Sequence, residues 1–185
     1  MRLLVNRADY HEAALRVLAE EGAGAVKVTR LCSELGVTTG SFYGYFGSLD
    51  GFVDEFLEYW SESQTARVIE IANAQGDPAE RIRLLKRLGS SLPHAAEGAI
   101  RAWAGTNPAV AKMQVKVDKR RLDALTDALR PAARDAREAR VLGTMAMTLL
   151  VGLQQWRKPV TTRQFNVVFN EFQEFVEMKM AAASD

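Results

Sequence analysis

The segment from Thr29 to Phe52 reads TRLCSELGVTTGSFYGYFGSLDGF. It holds two short helix signals around a turn, followed at once by an aromatic cluster and a new helix start. Leu31, Cys32 and Leu35 have helical spacing, and Gly36 suits a helix end because glycine adopts positive φ at little cost. Thr38 is a favourable N-cap for the second helix. The pattern predicts a helix-turn-helix, whose second helix enters the major groove of DNA.

The remainder of the chain predicts further α-helices and no strands. With 185 residues, 48% of them hydrophobic, it can bury a sizeable core, and no useful run alternates as a strand would. Helix one is expected at 7–21 and a long helix at 49–72, with Ser48 as its cap. Five more helices follow the break at Gly76, and Thr161 with Gln164 predicts a capping box for the last of them. We expect Phe42 and Phe46 to be core anchors. We therefore expect an all-α protein of about nine helices. A three-helix headpiece occupies residues 1–47, and a helical C-terminal domain occupies residues 48–185.

Charge and cysteine content limit what the headpiece can do. Its first 47 residues carry five basic and five acidic side chains, and the whole chain has a net charge of +1. Phosphate attraction dominates non-specific affinity for DNA, so a neutral headpiece predicts modest binding with a shallow salt dependence. Cys32 is the single cysteine, which excludes an intrachain disulfide. We expect it to be buried packing rather than a redox sensor.

Other function classes find little support in the sequence. No signal peptide is visible, and the uncharged run at 141–156 is too short to span a bilayer comfortably. There is no zinc-ligand spacing, phosphate-binding glycine loop or nucleophile elbow. We therefore expect a cytoplasmic protein that uses no metal or cofactor, does not act at a membrane and is not an enzyme.

Residues from about Arg7 to Phe56 resemble the DNA-binding headpiece of the TetR family of bacterial transcriptional regulators. The resemblance rests on AALRVLAEEG in the first helix, on LGV at the turn, and on GSFY and YFGS in and after the second helix of the motif. It implies a homodimer on double-stranded DNA, usually a repressor at a palindromic operator. It also implies a C-terminal ligand-binding and dimerisation domain, in which a small-molecule effector releases the DNA.

Candidate DNA contacts surround the predicted recognition helix. Basic and small polar side chains can contact phosphates and base edges, and the two tyrosines can donate to phosphates. Backbone amides at a helix start can bind an anion. Leu49 stands where many family members have lysine, and the recognition helix lacks Arg, Lys, Asn and Gln, so bidentate base reading is absent. Specificity would rest on methyl contacts, backbone fit and DNA shape. The candidates are Lys27, Thr29, Arg30, Thr38, Thr39, Gly40, Ser41, Tyr43, Tyr45 and Ser48.

Two further residue sets belong to the C-terminal domain that the resemblance implies. Apolar side chains on several helices predict a pocket for an apolar or aromatic effector, with plain core as the alternative. The candidates for this pocket are Phe56, Trp60, Leu85, Trp103, Met113, Val117, Met145 and Leu149. The last two helices predict a dimer interface, with internal core again as the alternative. Its candidates are Val141, Met145, Gly152, Phe165, Val168, Phe169, Phe172 and Val176.

A second function remains open on the residues alone. The neutral headpiece, Leu49 and the uncharged recognition helix also fit a chain that keeps this fold but reads DNA weakly or not at all. Such a chain would be a ligand-binding or protein-interaction module. Salt-sensitive binding to a defined duplex separates the two functions.

Overall fold

The computed structural model describes residues 5–156 and 160–182, and within these ranges the regular elements are helical. Ten α-helices lie within the described ranges, and a π-helical segment, Glu62–Ala66, lies between α4 and α5 in the chain. This confirms the predicted all-α fold. The helices are α1 Arg7–Glu21, α2 Val28–Leu35, α3 Thr39–Phe46, α4 Leu49–Ser61, α5 Arg67–Asn73, α6 Pro78–Ser90, α7 His94–Ala104, α8 Pro108–Ala128, α9 Ala136–Trp156 and α10 Thr162–Ala182.

Local capping chemistry sets several helix ends. Asn6 and Asp9 form a capping box at the start of α1, in which each side chain accepts a hydrogen bond from the other residue's backbone. Gly36 ends α2 with φ 65°, which is the left-handed region expected at this turn. Thr161 and Gln164 form the predicted capping box of α10. These contacts are local, so the sequence pattern alone was sufficient to indicate two of the three.

The described helices group into two compact units. One unit comprises Met1–Glu62 with Pro93–Gln114, and the other comprises Ser63–Leu92 with Val115–Asp185. In the first unit α1 packs against α2, α4 and α7, and α3 packs against α2 and α4. In the second unit α6 packs against α5 and α10, and α10 also packs against α9. The predicted boundary after residue 47 is a functional division and stays a prediction.

The first unit has an aromatic core. The rings of Phe42, Phe46 and Phe52 have centroids within 5.4 Å of one another, and Tyr10 meets Phe46 edge-on at 5.3 Å. All four side chains are buried. Edge-to-face aromatic pairs add to the stability that burial of their area supplies. This core fixes α3 against α1 and α4 and so determines which face of α3 points outwards.

The second unit contains two apolar clusters. One is built around Ile82, Leu129, Leu142 and Val176, and the other around Leu150, Leu153 and Phe165. Phe165 and Phe169 stack with centroids 4.2 Å apart. None of the helices in the described ranges is long and apolar enough to cross a membrane.

Gly143 allows α9 to approach α8 closely. A Cβ added at this position would lie 2.6 Å from the Thr126 hydroxyl oxygen and 3.0 Å from the Thr126 backbone nitrogen. Replacing Gly143 with alanine should therefore destabilise the protein by about 1–3 kcal/mol, the usual cost of overpacking. Urea unfolding measures this change in the free energy of unfolding.

Gly44 in α3 provides the matched control, since a Cβ there meets no atom within 4 Å. Gly44→Ala should leave stability unchanged or raise it by up to about 1 kcal/mol, because alanine is the better helix former. Equal stability of the two variants would contradict the close packing of α8 and α9.

Candidate nucleic-acid interface and effector cavity

The helix-turn-helix is α2, the turn at Gly36 and α3. Phe42 and Phe46 point into the aromatic core, as predicted for core anchors, and they orient α3. Tyr10 donates a hydrogen bond from its hydroxyl to Ser41 Oγ at 3.1 Å. Ser41 is therefore partly buried and faces α1, whereas the sequence suggested it as a DNA contact.

The outward face at the start of α3 consists of small side chains and one tyrosine. Thr38, Thr39 and Gly40 are exposed, and Tyr43 is 52% exposed. Thr38 occupies the N-cap position, but its side chain makes no capping hydrogen bond. Its hydroxyl and the first amides of α3 thus face the surface, where they suit phosphate or base-edge acceptors.

Ion pairs engage the arginines of this region. Arg30 donates from Nε to Glu21 at 2.7 Å and from Nη1 to Glu34 at 2.8 Å. The two carboxylates, Glu34 foremost, raise the pKa of the Arg30 guanidinium, while Arg30 and then Arg16 hold the pKa of Glu34 below its usual value. Arg16 likewise forms an ion pair with Glu34, and Arg7 forms one with Glu55.

Lys27 is the exception among the basic residues of this region. Its side chain is exposed and makes no ion pair with any residue in the described ranges. It occupies the N-cap position of α2, so it lies beside the positive end of that helix dipole. Lys27 therefore remains available to a phosphate in a way that Arg30 does not.

Tyr45 also has a structural partner. Its hydroxyl donates to the Val5 carbonyl oxygen at 2.7 Å, which fastens the segment before α1 to α3. The Arg7 guanidinium lies 5.7 Å from the centroid of the Tyr45 ring and donates to the Tyr45 carbonyl at 2.6 Å. The phosphate role suggested for Tyr45 stays a prediction, but in this structure its hydroxyl holds the N-terminal segment. Ser48 caps α4 through the Gly51 amide, as expected.

Two titratable side chains of the headpiece are buried rather than presented to a ligand. Cys32 is a buried free cysteine, as predicted, and burial raises the pKa of its thiol. His11 lies among Phe46, Phe52 and Tyr59. Burial lowers the pKa of its imidazole despite the opposing effect of Glu55. Neither environment favours an activated nucleophile or a proton shuttle. The described residues contain no cluster of three potential metal ligands.

A cavity of about 110 Å³ lies within the second unit. Its wall is mostly aliphatic, and α10 contributes the aromatic side chains of Phe165, Phe169 and Phe172. Among the eight predicted effector residues, Leu85 lies in this wall. Phe56, Trp60 and Val117 are fully buried elsewhere, and Met145 is 41% exposed. An effector role for these other residues stays a prediction.

Sequence reasoning missed the polar residues of this wall. They are Gln64, Thr65, Lys86, Arg121 and Gln173. Arg121 is buried and donates from Nε to Thr65 Oγ1 at 2.9 Å.

The predicted dimer residues fall into two groups. Phe165 and Val176 are buried in the chain's own core, Val168 packs against it, and Phe169 and Phe172 line the cavity. Val141, Met145 and Gly152 are exposed on α9 at spacings of four and seven residues, which place them on one face of that helix.

The family model for the bacterial regulatory proteins of the TetR family matches residues 11–56. This range contains the whole helix-turn-helix and three of the four rings of the aromatic core, those of Phe42, Phe46 and Phe52. Residues 11–56 are thus a TetR-family region. The resemblance stated from sequence is confirmed for this part of the chain, and a match to regulatory proteins agrees with the prediction that the chain is not an enzyme.

Two curated proteins are similar to part of this chain. The transcriptional repressor KstR2 of Mycobacterium tuberculosis is 31% identical over 77 residues, which cover 42% of this chain and 38% of KstR2. The nucleoid occlusion factor SlmA of Vibrio atlanticus is 28% identical over 87 residues, which cover 44% of each chain. The matches therefore span less than half the length of these relatives.

Solved structures resemble the fold over nearly the whole chain. A TetR-family regulator from Streptomyces coelicolor has a TM-score of 0.72 at 18% identity and covers 97% of this chain and 96% of its own. A transcriptional regulator from Saccharomonospora viridis in complex with choline has a TM-score of 0.74 at 19% identity, with coverages of 91% and 95%. At these identities the likeness establishes the fold alone.

Proposed function

We propose that the chain is a DNA-binding transcriptional repressor that dimerises on a palindromic operator and leaves it when a small apolar or aromatic molecule binds. The observation that carries this proposal is the exposed start of α3, with Thr39, Gly40 and Tyr43 outward on the buried anchors Phe42 and Phe46. The family supports it, as does the repressor KstR2. Residues 1–47 serve as the DNA-binding domain and residues 48–185 as the effector and dimerisation domain.

The proposed phosphate contacts are Lys27, Thr29, Thr38, Tyr43 and the amides beside Ser48. Thr39 and Gly40 approach the base edges. The side chains of Arg30, Ser41 and Tyr45 already form hydrogen bonds within the protein. Their proposed role is therefore to hold α2 and α3 in position. Phosphate contacts fix register without carrying sequence information, so the specificity of this interface would come from close backbone fit and DNA shape.

Replacing Lys27 with alanine tests the phosphate role directly. Binding should weaken by a similar factor on every duplex, and the slope of log K against log salt should become shallower by about 0.9. Fluorescence anisotropy at several salt concentrations, on duplexes from the DNA flanking the gene, measures both quantities.

Lys112→Ala is the matched control, because Lys112 is an exposed lysine on α8 outside the proposed interface. This variant should bind as the parent does. An unchanged salt slope for Lys27→Ala would show that Lys27 does not contact a phosphate.

The proposed homodimer uses the exposed face of α9. Gly152 lies inside this helix, where a Cβ would meet nothing within 4 Å, so the chain's own packing does not call for glycine there. Glycine in a helix interior costs about 1 kcal/mol relative to alanine, and close approach of a second subunit would account for it. Val141 and Met145 extend the face, and the exposed side chains Val167 and Phe175 add apolar surface on α10.

Release from DNA is proposed to follow a population shift. The effector must bind the DNA-incompetent conformation more tightly, and its influence cannot exceed that difference in affinity. Coupling of about 1–3 kcal/mol is typical of such regulators. The cavity of the second unit is the proposed effector site. The choline complex of the Saccharomonospora viridis regulator supports a small molecule as the kind of ligand.

The ion pairs of Arg16 and Arg30 favour a second candidate function. With these charges engaged and Leu49 at the start of α4, the chain would be a ligand-binding or protein-interaction module that reads DNA weakly. A folded dimer that binds no duplex in a genome-wide fragment pool would establish this function over the first.

A further inference from the structure

The cavity of the second unit lies between the two apolar clusters of that unit. Ile82 and Leu129 belong to one cluster, Leu150 and Phe165 belong to the other, and all four side chains line the cavity. Its volume is about 110 Å³, of the same order as an apolar cavity of about 150 Å³ that binds benzene. A guest with a single ring would therefore touch both clusters and join them into one continuous core.

The surface that this cavity offers to a guest is almost entirely apolar. Most ligand sites combine an apolar wall with a few polar groups that fix the orientation of the ligand. Here the polar residues of the wall contribute very little of its exposed surface. The cavity can therefore select a guest by volume and by lack of polarity, but not by a directed hydrogen bond.

The two basic residues of the wall form hydrogen bonds within the protein. The Lys86 ammonium group donates to Asn170 Oδ1 at 2.8 Å. Arg121 donates from Nε to Thr65 Oγ1 at 2.9 Å. Because these donors are engaged and the exposed wall is apolar, an acidic guest would find no counter-ion in the cavity.

A polar group carried into this cavity would lose its hydration without gaining a partner. For a hydroxyl group, burial without a hydrogen bond typically lowers affinity by about tenfold or more, and for an ion the loss is far larger. A hydrocarbon, by contrast, gains free energy when its surface leaves water. The wall thus favours a guest that has no hydrogen-bonding group at all.

Aromatic side chains give part of the wall a flat shape. The rings of Phe165 and Phe169 stack with centroids 4.2 Å apart and planes 10° apart. Gly89 leaves room beside this pair, since a Cβ there would lie 3.2 Å from Phe165 Cζ. A planar guest suits such a wall, because aromatic rings stack favourably on one another.

From these observations we propose that the cavity takes a neutral hydrocarbon of one-ring size and rejects rings that carry a hydroxyl group or a charge. The guest fills the space between the two apolar clusters and lies against Phe165 and Phe169. The inference rests on the effector-binding part of the proposed function. It narrows the effector to a molecule without hydrogen-bonding groups.

Four probes that share a benzene ring test this class on the full-length protein without DNA: toluene, phenol, benzoate and phenyltrimethylammonium. NMR titration of the isotope-labelled protein measures their dissociation constants. Toluene should bind about tenfold more tightly than phenol, because the phenol hydroxyl is close in size to the toluene methyl group but finds no partner. Benzoate and the ammonium ion should not bind at concentrations that saturate the protein with toluene.

Two leucine variants of α6 locate the guest. Leu85 lines the cavity and the neighbouring Leu84 does not, although both are half-buried. Leu85→Ala should enlarge the cavity, so propylbenzene, which is longer than toluene by two methylene groups, should bind about tenfold more tightly than to the parent chain. Leu84→Ala is the matched control and should leave the affinity for propylbenzene unchanged.

Each contrary result has a distinct meaning. Phenol, benzoate or the ammonium ion binding as tightly as toluene overturns the hydrocarbon class, and failure of toluene to bind overturns the cavity as a site for a ring-sized guest. Equal affinities of the two leucine variants for propylbenzene overturn the location of the guest. The ranking of the four probes is measured on the parent chain, so it does not depend on the folding of either variant.

Anisotropy measurements of DNA binding separate this inference from the proposed function. A chain that binds toluene but no duplex keeps the inference about the cavity and contradicts the repressor. A chain that binds DNA but not toluene contradicts the inference alone.

Discussion

Replacing Phe52 with alanine should unfold the DNA-binding region at far lower urea concentration than the parent. Phe52 is fully buried, with ring centroids 4.9 Å from Phe46 and 5.4 Å from Phe42. Removing such a side chain leaves a cavity and typically costs about 3–5 kcal/mol, which is a large part of the stability of an ordinary domain. Circular dichroism during urea unfolding measures the loss, and DNA binding should fall with it.

Tyr43→Ala is the matched control from the same domain. It removes an aromatic side chain that is 52% exposed, so the free energy of unfolding should change little. Binding to DNA should nevertheless weaken, because the hydroxyl is a proposed phosphate contact. If the Phe52→Ala and Tyr43→Ala proteins have equal free energies of unfolding, the aromatic core does not support α3 as described.

If the chain forms the proposed homodimer, placing aspartate at both Val141 and Met145 should convert it into monomers. The two positions are 52% and 41% exposed on one face of α9. In a twofold interface the same patch meets its own copy, so four carboxylates would be brought together and desolvated. Like-charge contacts of this kind cost several kcal/mol, which predicts dimerisation weaker by about 100-fold or more. Sedimentation velocity over a concentration series measures the dissociation constant.

Val115→Asp is the control for a new charge on an exposed valine. Val115 is 71% exposed on α8, outside the proposed interface, and its replacement should leave the dimer intact. A dimer that persists unchanged in Val141→Asp/Met145→Asp would locate the interface elsewhere. A monomer formed by Val115→Asp would point to α8 instead.

The sequence was most informative where a few neighbouring residues determine the structure. Gly36 at the helix-turn-helix turn, Ser48 at the start of α4, and Thr161 with Gln164 at the start of α10 were all predicted correctly. Each depends on backbone conformation or on a hydrogen bond within a few residues. The all-α fold was predicted from helical spacing together with caps and breaks, and Phe42 and Phe46 are buried as predicted.

Contacts between distant residues were beyond the same reasoning. Nothing in the sequence indicates that Arg30 donates to Glu21 as well as to Glu34, or that Tyr45 bonds to Val5. The cavity is likewise assembled from several helices, so an apolar stripe shows that a residue is inward without showing what it faces. This explains why Leu85 was the one predicted effector residue in the cavity wall.

Sequence-specific DNA binding is the central claim, and fluorescence anisotropy tests it most directly. The full-length protein is titrated into duplexes from the DNA flanking its gene and into scrambled duplexes, each at two salt concentrations. The account predicts tighter, salt-sensitive binding to at least one flanking duplex. Equal weak binding to all of them, repeated with a genome-wide pool of fragments while the dimer stays folded, would contradict it.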